Sequence, residues 1–373
     1  MRVRAAGTGP LGGGAILEGV SPDDESSMTA PDQREAARVA WLEEIVGPGY
    51  GLRQLAGDAS FRRYFRVQGP LDSSRVLMDA PPDKEDVPLF RRLALRLAAH
   101  GVPVPEILAS EDTLGFLLLS DLGDELLLDR LACEEADPVY RRAIALLVEM
   151  QSSVPVDGLE GYSAEMLLEE MRLFPRWFLE RHLGLGWSGR RAAVLECVFE
   201  LLVGVAGEQP TVFVHRDYHS RNLMALPGGR FGVLDFQDAV EGPVTYDLVS
   251  LLRDVYVEWD PAQVARWSRG YFEQARARGI VTGIGFDRFA RWFDLMGVQR
   301  HLKVAGIFCR LWHRDGKGAY LESLPLTLKY LMTVSGRYRE LDSLRKLLED
   351  IMERTPGTFS EVSEPTGLRA LTT

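Results

Sequence analysis

Three oxygen-bearing side chains stand at spacings that suit chemistry on a phosphoryl group: Asp217, Asn222 and Asp235. The first two lie in His215-Arg216-Asp217-Tyr218-His219-Ser220-Arg221-Asn222, and the third in Leu234-Asp235-Phe236-Gln237-Asp238. Phosphoryl transfer needs a carboxylate that orients the attacking hydroxyl and accepts its proton. It also needs oxygen ligands for magnesium on the nucleotide phosphates. Asp217 suits the first task, Asn222 and Asp235 the second. Magnesium favours hard oxygen donors and retains waters, so one carboxylate, one amide and nucleotide oxygens suffice. The expected cofactor is therefore Mg2+, with ATP as phosphoryl donor.

Such residues act only if strands deliver them to one place. Thr211-Val212-Phe213-Val214 and Phe231-Gly232-Val233-Leu234 read as short buried strands ending in polar residues, with Pro227-Gly228-Gly229 marking a hairpin between the two segments. Asp and Asn are also common in turns for purely local reasons. The apolar runs on both sides favour the chemical reading.

At 373 residues, 46% hydrophobic and 26% charged, the chain has ordinary globular composition and room for two lobes. A net charge of -11 argues against a nucleic-acid partner, which calls for a concentrated basic face. No apolar run reaches the roughly 18 residues of a transmembrane helix, so no membrane partner is expected. Cys133, Cys197 and Cys309 lack metal-ligand spacing and are expected as buried free thiols in apolar helices of a cytoplasmic protein. Residues 1–30, glycine-rich and then acidic, read as a disordered extension rather than a signal peptide, with Met28 a candidate start.

Along the chain, residues 32–46 have helical periodicity. Residues 50–56, 61–67 and 75–78 read as an antiparallel meander, 84–100 as a helix, and 106–110 and 115–119 as two further strands. This gives an N-lobe over 31–121, with the tight Gly57-Asp58-Ala59-Ser60 turn between its first strands. From 122 to 354 the chain is mostly helical, with helices expected over 137–152, 164–183, 188–206, 245–257, 261–279, 286–312 and 322–353. Residues 355–373 read as a flexible tail.

The segment from His215 to Asn222 matches H-R-D-x-x-x-x-N in full, and Asp235-Phe236-Gln237 matches D-F-G with glutamine in the last place. With Gly242-Pro243-Val244-Thr245-Tyr246-Asp247-Leu248, these segments resemble the aminoglycoside phosphotransferase and choline kinase superfamily. Gly57-Asp58-Ala59-Ser60-Phe61-Arg62-Arg63-Tyr64-Phe65, Leu77-Met78-Asp79-Ala80-Pro81-Pro82 and Arg300-His301-Leu302-Lys303-Val304-Ala305-Gly306 look like its anomeric N-acetylmuramate and N-acetylglucosamine kinases. The resemblance implies an α+β, bilobal protein-kinase-like fold with a small antiparallel N-lobe and a larger helical C-lobe.

It further implies Asp217 as base, Asn222 and Asp235 as magnesium ligands, and His215 and Asp247 as structural residues. Gly57, Asp58, Ala59, Ser60, Arg62, Leu119 and Asp121 would face the nucleotide. His219, Arg221, Gln237, Asp238, Arg300, His301 and Lys303 are candidates for the amino-sugar substrate. One departure stands out: Met78 occupies the place of the strand lysine that binds nucleotide phosphates in kinase-like folds, leaving Arg62, Arg63 and Lys84 as substitutes. The implied activity is phosphorylation of the C1 hydroxyl of these sugars in peptidoglycan recycling. An aminoglycoside or amino-alcohol acceptor is the alternative, and a nucleotide-binding pseudokinase a more remote one.

Overall fold

The computed structural model describes residues 30–55, 61–69 and 74–355. The turn at Gly57 to Ser60 and the expected extension and tail, apart from residues 30 and 355, lie outside the described residues. Helix α1 (Ala30–Val46) belongs to one compact unit, and all other elements to a second, Gly49–Thr373.

The second unit opens with β1 (Gly51–Gln54), β2 (Arg63–Gln68) and β3 (Ser74–Asp79), followed by α2 (Val87–Ala99), β4 (Ile107–Glu111) and β5 (Phe116–Ser120). The strands form one antiparallel sheet in the order β1-β2-β3-β5-β4. Helix α2 starts where the Asp86 side chain accepts the Leu89 N–H at 2.8 Å, with Pro88 in the first turn, where its missing N–H costs nothing. Its apolar stripe Phe90, Leu93 and Leu97 joins Met78, Leu117 and Leu119 of the sheet in one core. The β4–β5 turn needs Gly115: its φ is +72°, and a Cβ there would lie 1.9 Å from the Ala80 carbonyl oxygen.

Beyond residue 121 come α3 (Leu127–Arg130), α4 (Ala136–Ser153), α5 (Ala164–Met171), a π-helical segment Phe174–His182, and α6 (Arg190–Gly207). Two antiparallel ribbons follow. β6 (Thr211–Val214) pairs with β9 (Val240–Pro243), and β7 (Leu223–Leu226) with β8 (Arg230–Val233). The register joins Val214 to Val240 and Leu223 to Val233, so the segments 215–222 and 234–239 leave the ribbons side by side. The chain ends in α7 (Tyr246–Leu252), α8 (Pro261–Ala277), α9 (Phe286–Asp315), α10 (Leu324–Ser335) and α11 (Asp342–Arg354). α9 is buried on nearly every side from Phe289 to Leu311 and packs against α5, α6, α7, α10 and the π-helical segment.

Four expectations are corrected. The helix expected over 164–183 changes register after Met171, because Pro175 has no N–H to continue the ladder. The helix expected over 245–257 stops at Leu252. The helix expected over 322–353 is two helices, α10 ending at Ser335 with Gly336 as its cap, glycine being the poorest helix former after proline. Of the cysteines, all free, Cys309 is buried while Cys133, in a turn after α3, and Cys197, on α6, are exposed. The α6 spacing turns Leu195, Val198 and Phe199 inward and leaves position 197 on the outer face. Among the described residues no helix is long and apolar enough to cross a membrane.

Close approach fixes one further glycine. A Cβ on Gly306 of α9 would lie 2.3 Å from the Leu173 carbonyl carbon, whereas Gly270 in α8 has nothing within 4 Å of its built Cβ. Gly306→Ala should therefore cost about 1–3 kcal/mol through overpacking. Gly270→Ala should instead add about 0.5–1 kcal/mol by helix propensity. Chemical denaturation of both variants checks the pair, and equal effects would contradict the close packing of α9.

Candidate active site

The loop between β6 and β7 is shaped by side chains reaching back from α7. Asp247, fully buried in the first turn of α7, accepts the backbone N–H groups of His215 at 2.7 Å and Arg216 at 3.0 Å. Seven residues on, Asp254 accepts the Ser220 N–H at 2.9 Å. Burial pushes the Asp247 carboxyl up to about 7, against the two N–H donors that favour its charge. Arg216 at φ +75° and Asp235 at φ +60° are the non-glycine residues with positive φ among those described. Such backbone costs on the order of 1 kcal/mol each and persists only where the surroundings enforce it.

His215 ties the two halves of the site together. Its Nε2 lies 2.8 Å from the Leu234 carbonyl oxygen, and its Nδ1 accepts the Asp217 N–H at 3.2 Å, which makes Nε2 the protonated nitrogen. Burial lowers its pKa to about 4, so the ring stays neutral. Asn222 donates its Nδ2 to the Asp217 carbonyl at 3.0 Å, leaving the amide oxygen for a ligand. The Leu234 N–H in turn donates to the Asn222 carbonyl at 2.9 Å, just ahead of Asp235.

A cleft of about 370 Å³ runs between the sheet and these loops, lined by Leu55, Val76, Leu119 and Asp121 on one side and Asn222 and Asp235 on the other. The Asn222 amide oxygen and the Asp235 carboxylate are hard donors open to that cleft, a set that fits a magnesium ion sharing nucleotide oxygens. Among the described residues no group of three or more His, Cys, Asp or Glu could hold a metal, so phosphate oxygens would have to complete the coordination.

Leu119 lines the cleft as expected, but the Asp121 carboxylate is engaged by protein groups: Arg66 Nε at 2.7 Å, the Ser74 hydroxyl and the Gly123 N–H at 2.9 Å. Burial alone would raise its pKa, and those donors bring it below the ordinary value. Arg62, buried at the entry to β2, reaches Asp235 Oδ1 at 3.4 Å and Glu85 at 3.5 Å. Arg63 instead pairs with buried Asp79 at 2.8 Å, and Lys84 with exposed Asp83.

On the far side of Asp217 stands a buried charge cluster. Glu170 takes the Arg216 guanidinium, Lys303 Nζ at 2.8 Å, Gln299 Nε2 at 3.2 Å and the Tyr162 hydroxyl. Burial would raise the Asp217 carboxyl, but Lys303, His219 and Arg300 hold it below the ordinary carboxylate value. The remaining candidates are scattered. Gln237 donates to Asp235 at 2.9 Å, Asp238 is exposed, and exposed Arg221 lies over Tyr256 at 4.8 Å, close to His219. His301 is fully buried, with its Nε2 3.1 Å from the Arg253 carbonyl oxygen and its ring stacked on Tyr330. That geometry commits it to the α7–α9 packing.

Sequence reasoning missed Glu85, Glu170 and Asp254. Asp254 lies past the end of α7, so helical spacing from Asp247 did not reveal it. Glu170 offered no signal, since it is one of several acids on α5 and its partners lie far along the chain.

Two buried histidines give a pH test. His215 and His301 have pKa values near 4 and 3, lowered by burial, against about 6.5 unfolded. The unfolded chain thus binds more protons, and their contribution, present above about pH 6.5, is lost as the pH falls toward 4. Asp247 works in the opposite sense over about pH 4–7 because its folded value is raised. Between pH 7 and 5 the wild type should lose on the order of 2 kcal/mol more than His301→Gln, the share of one histidine. Parallel denaturation curves at both pH values would refute this.

Residues 51–280 match the phosphotransferase enzyme family APH. The N-acetylmuramate/N-acetylglucosamine kinase of Pseudomonas aeruginosa is 46% identical over 322 residues, 83% of this chain and 95% of its own length. The kinase of the same name from Neisseria meningitidis is 43% identical over 325 residues, 86% and 96% of the two lengths. The choline kinase LicA of Streptococcus pneumoniae superposes with a TM-score of 0.59 at 12% identity, covering 81% of this chain and 99% of that one, a likeness of fold. With the sheet, the helical lobe and the loop motifs already in place, these similarities establish that the chain belongs to the APH phosphotransferase enzyme family.

Proposed function

We propose that this kinase uses ATP to phosphorylate the anomeric C1 hydroxyl of N-acetylmuramate and N-acetylglucosamine, giving sugar 1-phosphates in cytoplasmic peptidoglycan recycling. The observation that carries the reading is identity of 43–46% to kinases of that name across nearly their whole length. Cations gathered around Asp217 also suit a neutral or acidic sugar better than a polycationic aminoglycoside. The boundary between the lobes is placed at residues 121 and 122, where the sheet has ended and the helices begin.

In this reading Asp217 orients the C1 hydroxyl and takes its proton as the bond to phosphorus forms. The neighbouring cations keep Asp217 ionised, and an anomeric hydroxyl is more acidic than an ordinary alcohol, which eases the transfer. Asn222 and Asp235 are the residues that would hold Mg2+, whose charge offsets that of the phosphates. His215 and Asp247 keep the base and the ligands in register. Arg62 takes the part of the strand lysine, with Glu85 as its counter-ion.

Phosphorus NMR after incubation with ATP, Mg2+ and either sugar tests the reaction: a new doublet split by the anomeric proton is expected. Asp217→Asn should lower turnover by about 10²–10⁴-fold. No product with either sugar would sink the substrate assignment. For Arg62→Ala, the KM for ATP should rise by roughly 10-fold or more while the sugar KM stays nearly unchanged, consistent with loss of a charged contact. Lys84→Ala, which removes a half-exposed charge, should change neither. An effect of Lys84→Ala larger than that of Arg62→Ala would move the phosphate-binding role away from Arg62.

A further inference from the structure

Resting on the amino-sugar reading, we infer that Arg300 is the residue that recognises the lactyl carboxylate of N-acetylmuramate, and so sets the preference between the acidic and the neutral sugar. Two cations of α9, Lys303 and Arg300, act on Asp217. Arg216 and Lys303 are both paired with Glu170. Arg300, one turn before Lys303 on α9, is 3% exposed, and its Nε and Nη1 are buried without a hydrogen-bond partner. No ion pair to it is found among the described residues.

A buried guanidinium without an acceptor is costly, and the cost is relieved when a ligand brings an anion. A carboxylate matches the planar fork of arginine better than any neutral sugar group. Position agrees with this. Arg300 is buried on α9, which packs against the α7 helix that carries Asp247, and its charge acts on both Asp247 and Asp217. In N-acetylmuramate the lactyl carboxylate hangs from C3, two ring carbons and an ether link from the C1 hydroxyl that Asp217 would orient. N-acetylglucosamine has only a hydroxyl at C3 and leaves Arg300 to water, which lets one site take both sugars.

The test is the ratio of kcat/KM for the two sugars in Arg300→Met, which keeps the volume and removes the charge, and in Arg300→Lys, which keeps the charge and loses the fork. Arg300→Met should lose about 10- to 100-fold with N-acetylmuramate, mainly through KM, as expected for one charged hydrogen-bonding contact. With N-acetylglucosamine, where only the field of Arg300 on Asp217 is lost, the fall in kcat/KM should be about 10-fold smaller than with N-acetylmuramate. Arg300→Lys should fall between. The methyl ester of N-acetylmuramate, which lacks the charge, should lose no more in Arg300→Met than N-acetylglucosamine does. Equal losses with both sugars would overturn the inference, placing Arg300 on the shared reacting groups. Unchanged kinetics would overturn it too, making the residue a packing element. If Arg300→Met does not fold, the Arg300→Lys ratio and the wild-type discrimination against the ester decide. Wild-type turnover of neither sugar would instead remove the substrate reading, and this inference with it.

Discussion

One buried carboxylate holds the loop between β6 and β7 in its shape. Asp247 binds two successive backbone N–H groups, those of His215 and Arg216, and so fixes the loop at the point where Arg216 takes a positive φ. Without that acceptor the two donors would be buried and unmatched, at about 1–3 kcal/mol each. The shape then propagates. His215 can reach the Leu234 carbonyl only because its own backbone is held, and Leu234 delivers Asp235. Asp217 follows His215 by two residues and donates its N–H to the same ring. α7 can act as the anchor because every one of its seven residues is buried and wedged against α9, and just past its end Asp254 binds the loop again.

Charge balance around Asp217 follows from the same packing. Burial alone would favour a protonated carboxyl, which could not act as a base. Lys303 and Arg300 on α9 reverse that. Bringing Lys303 into the interior is offset by Glu170, which α5 presents to Lys303 and Arg216 together. The long buried helix is thus both scaffold and source of field. The close approach of Gly306 to the Leu173 backbone sets how near α9 comes to the π-helical segment that follows α5.

Much of this was legible before any coordinates. The order of β1 to β5 with α2, of β6 and β8, and of the long helices α4, α6, α8 and α9 followed from periodicity and turn residues, while the short α3, β7 and β9 did not; Asp217, Asn222 and Asp235 followed from spacing inside two short motifs flanked by apolar runs. What escaped were interactions between distant segments. The basic residues of α9 could equally have formed a solvated face, and only the packing turns Arg300, His301 and Lys303 inward. His301, grouped with its neighbours by type, faces α7 instead, because adjacent helical positions differ by about 100° in direction. Breaks within long helical stretches were also missed, since periodicity survives a change of register that Pro175 or Gly336 imposes.

Where kinase-like folds carry a strand lysine this chain has Met78, and a different residue brings a cation to Asp235. In the register of β2 with β3, Tyr64 lies opposite Met78 and Arg63 opposite Asp79. Arg62 is therefore the next residue out, just past the end of β3 and over Asp235. Arginine is longer than lysine and can span from that edge to both Asp235 and Glu85, whereas the β3 side chain points into the core formed with α2. Met78 fills that core at 1% exposure, a place where an ammonium group would need its own counter-ion. A cation on the neighbouring strand leaves the Met78 position apolar and puts a positive charge beside the Asp235 carboxylate, so absence of lysine from β3 is no argument against nucleotide chemistry in this fold.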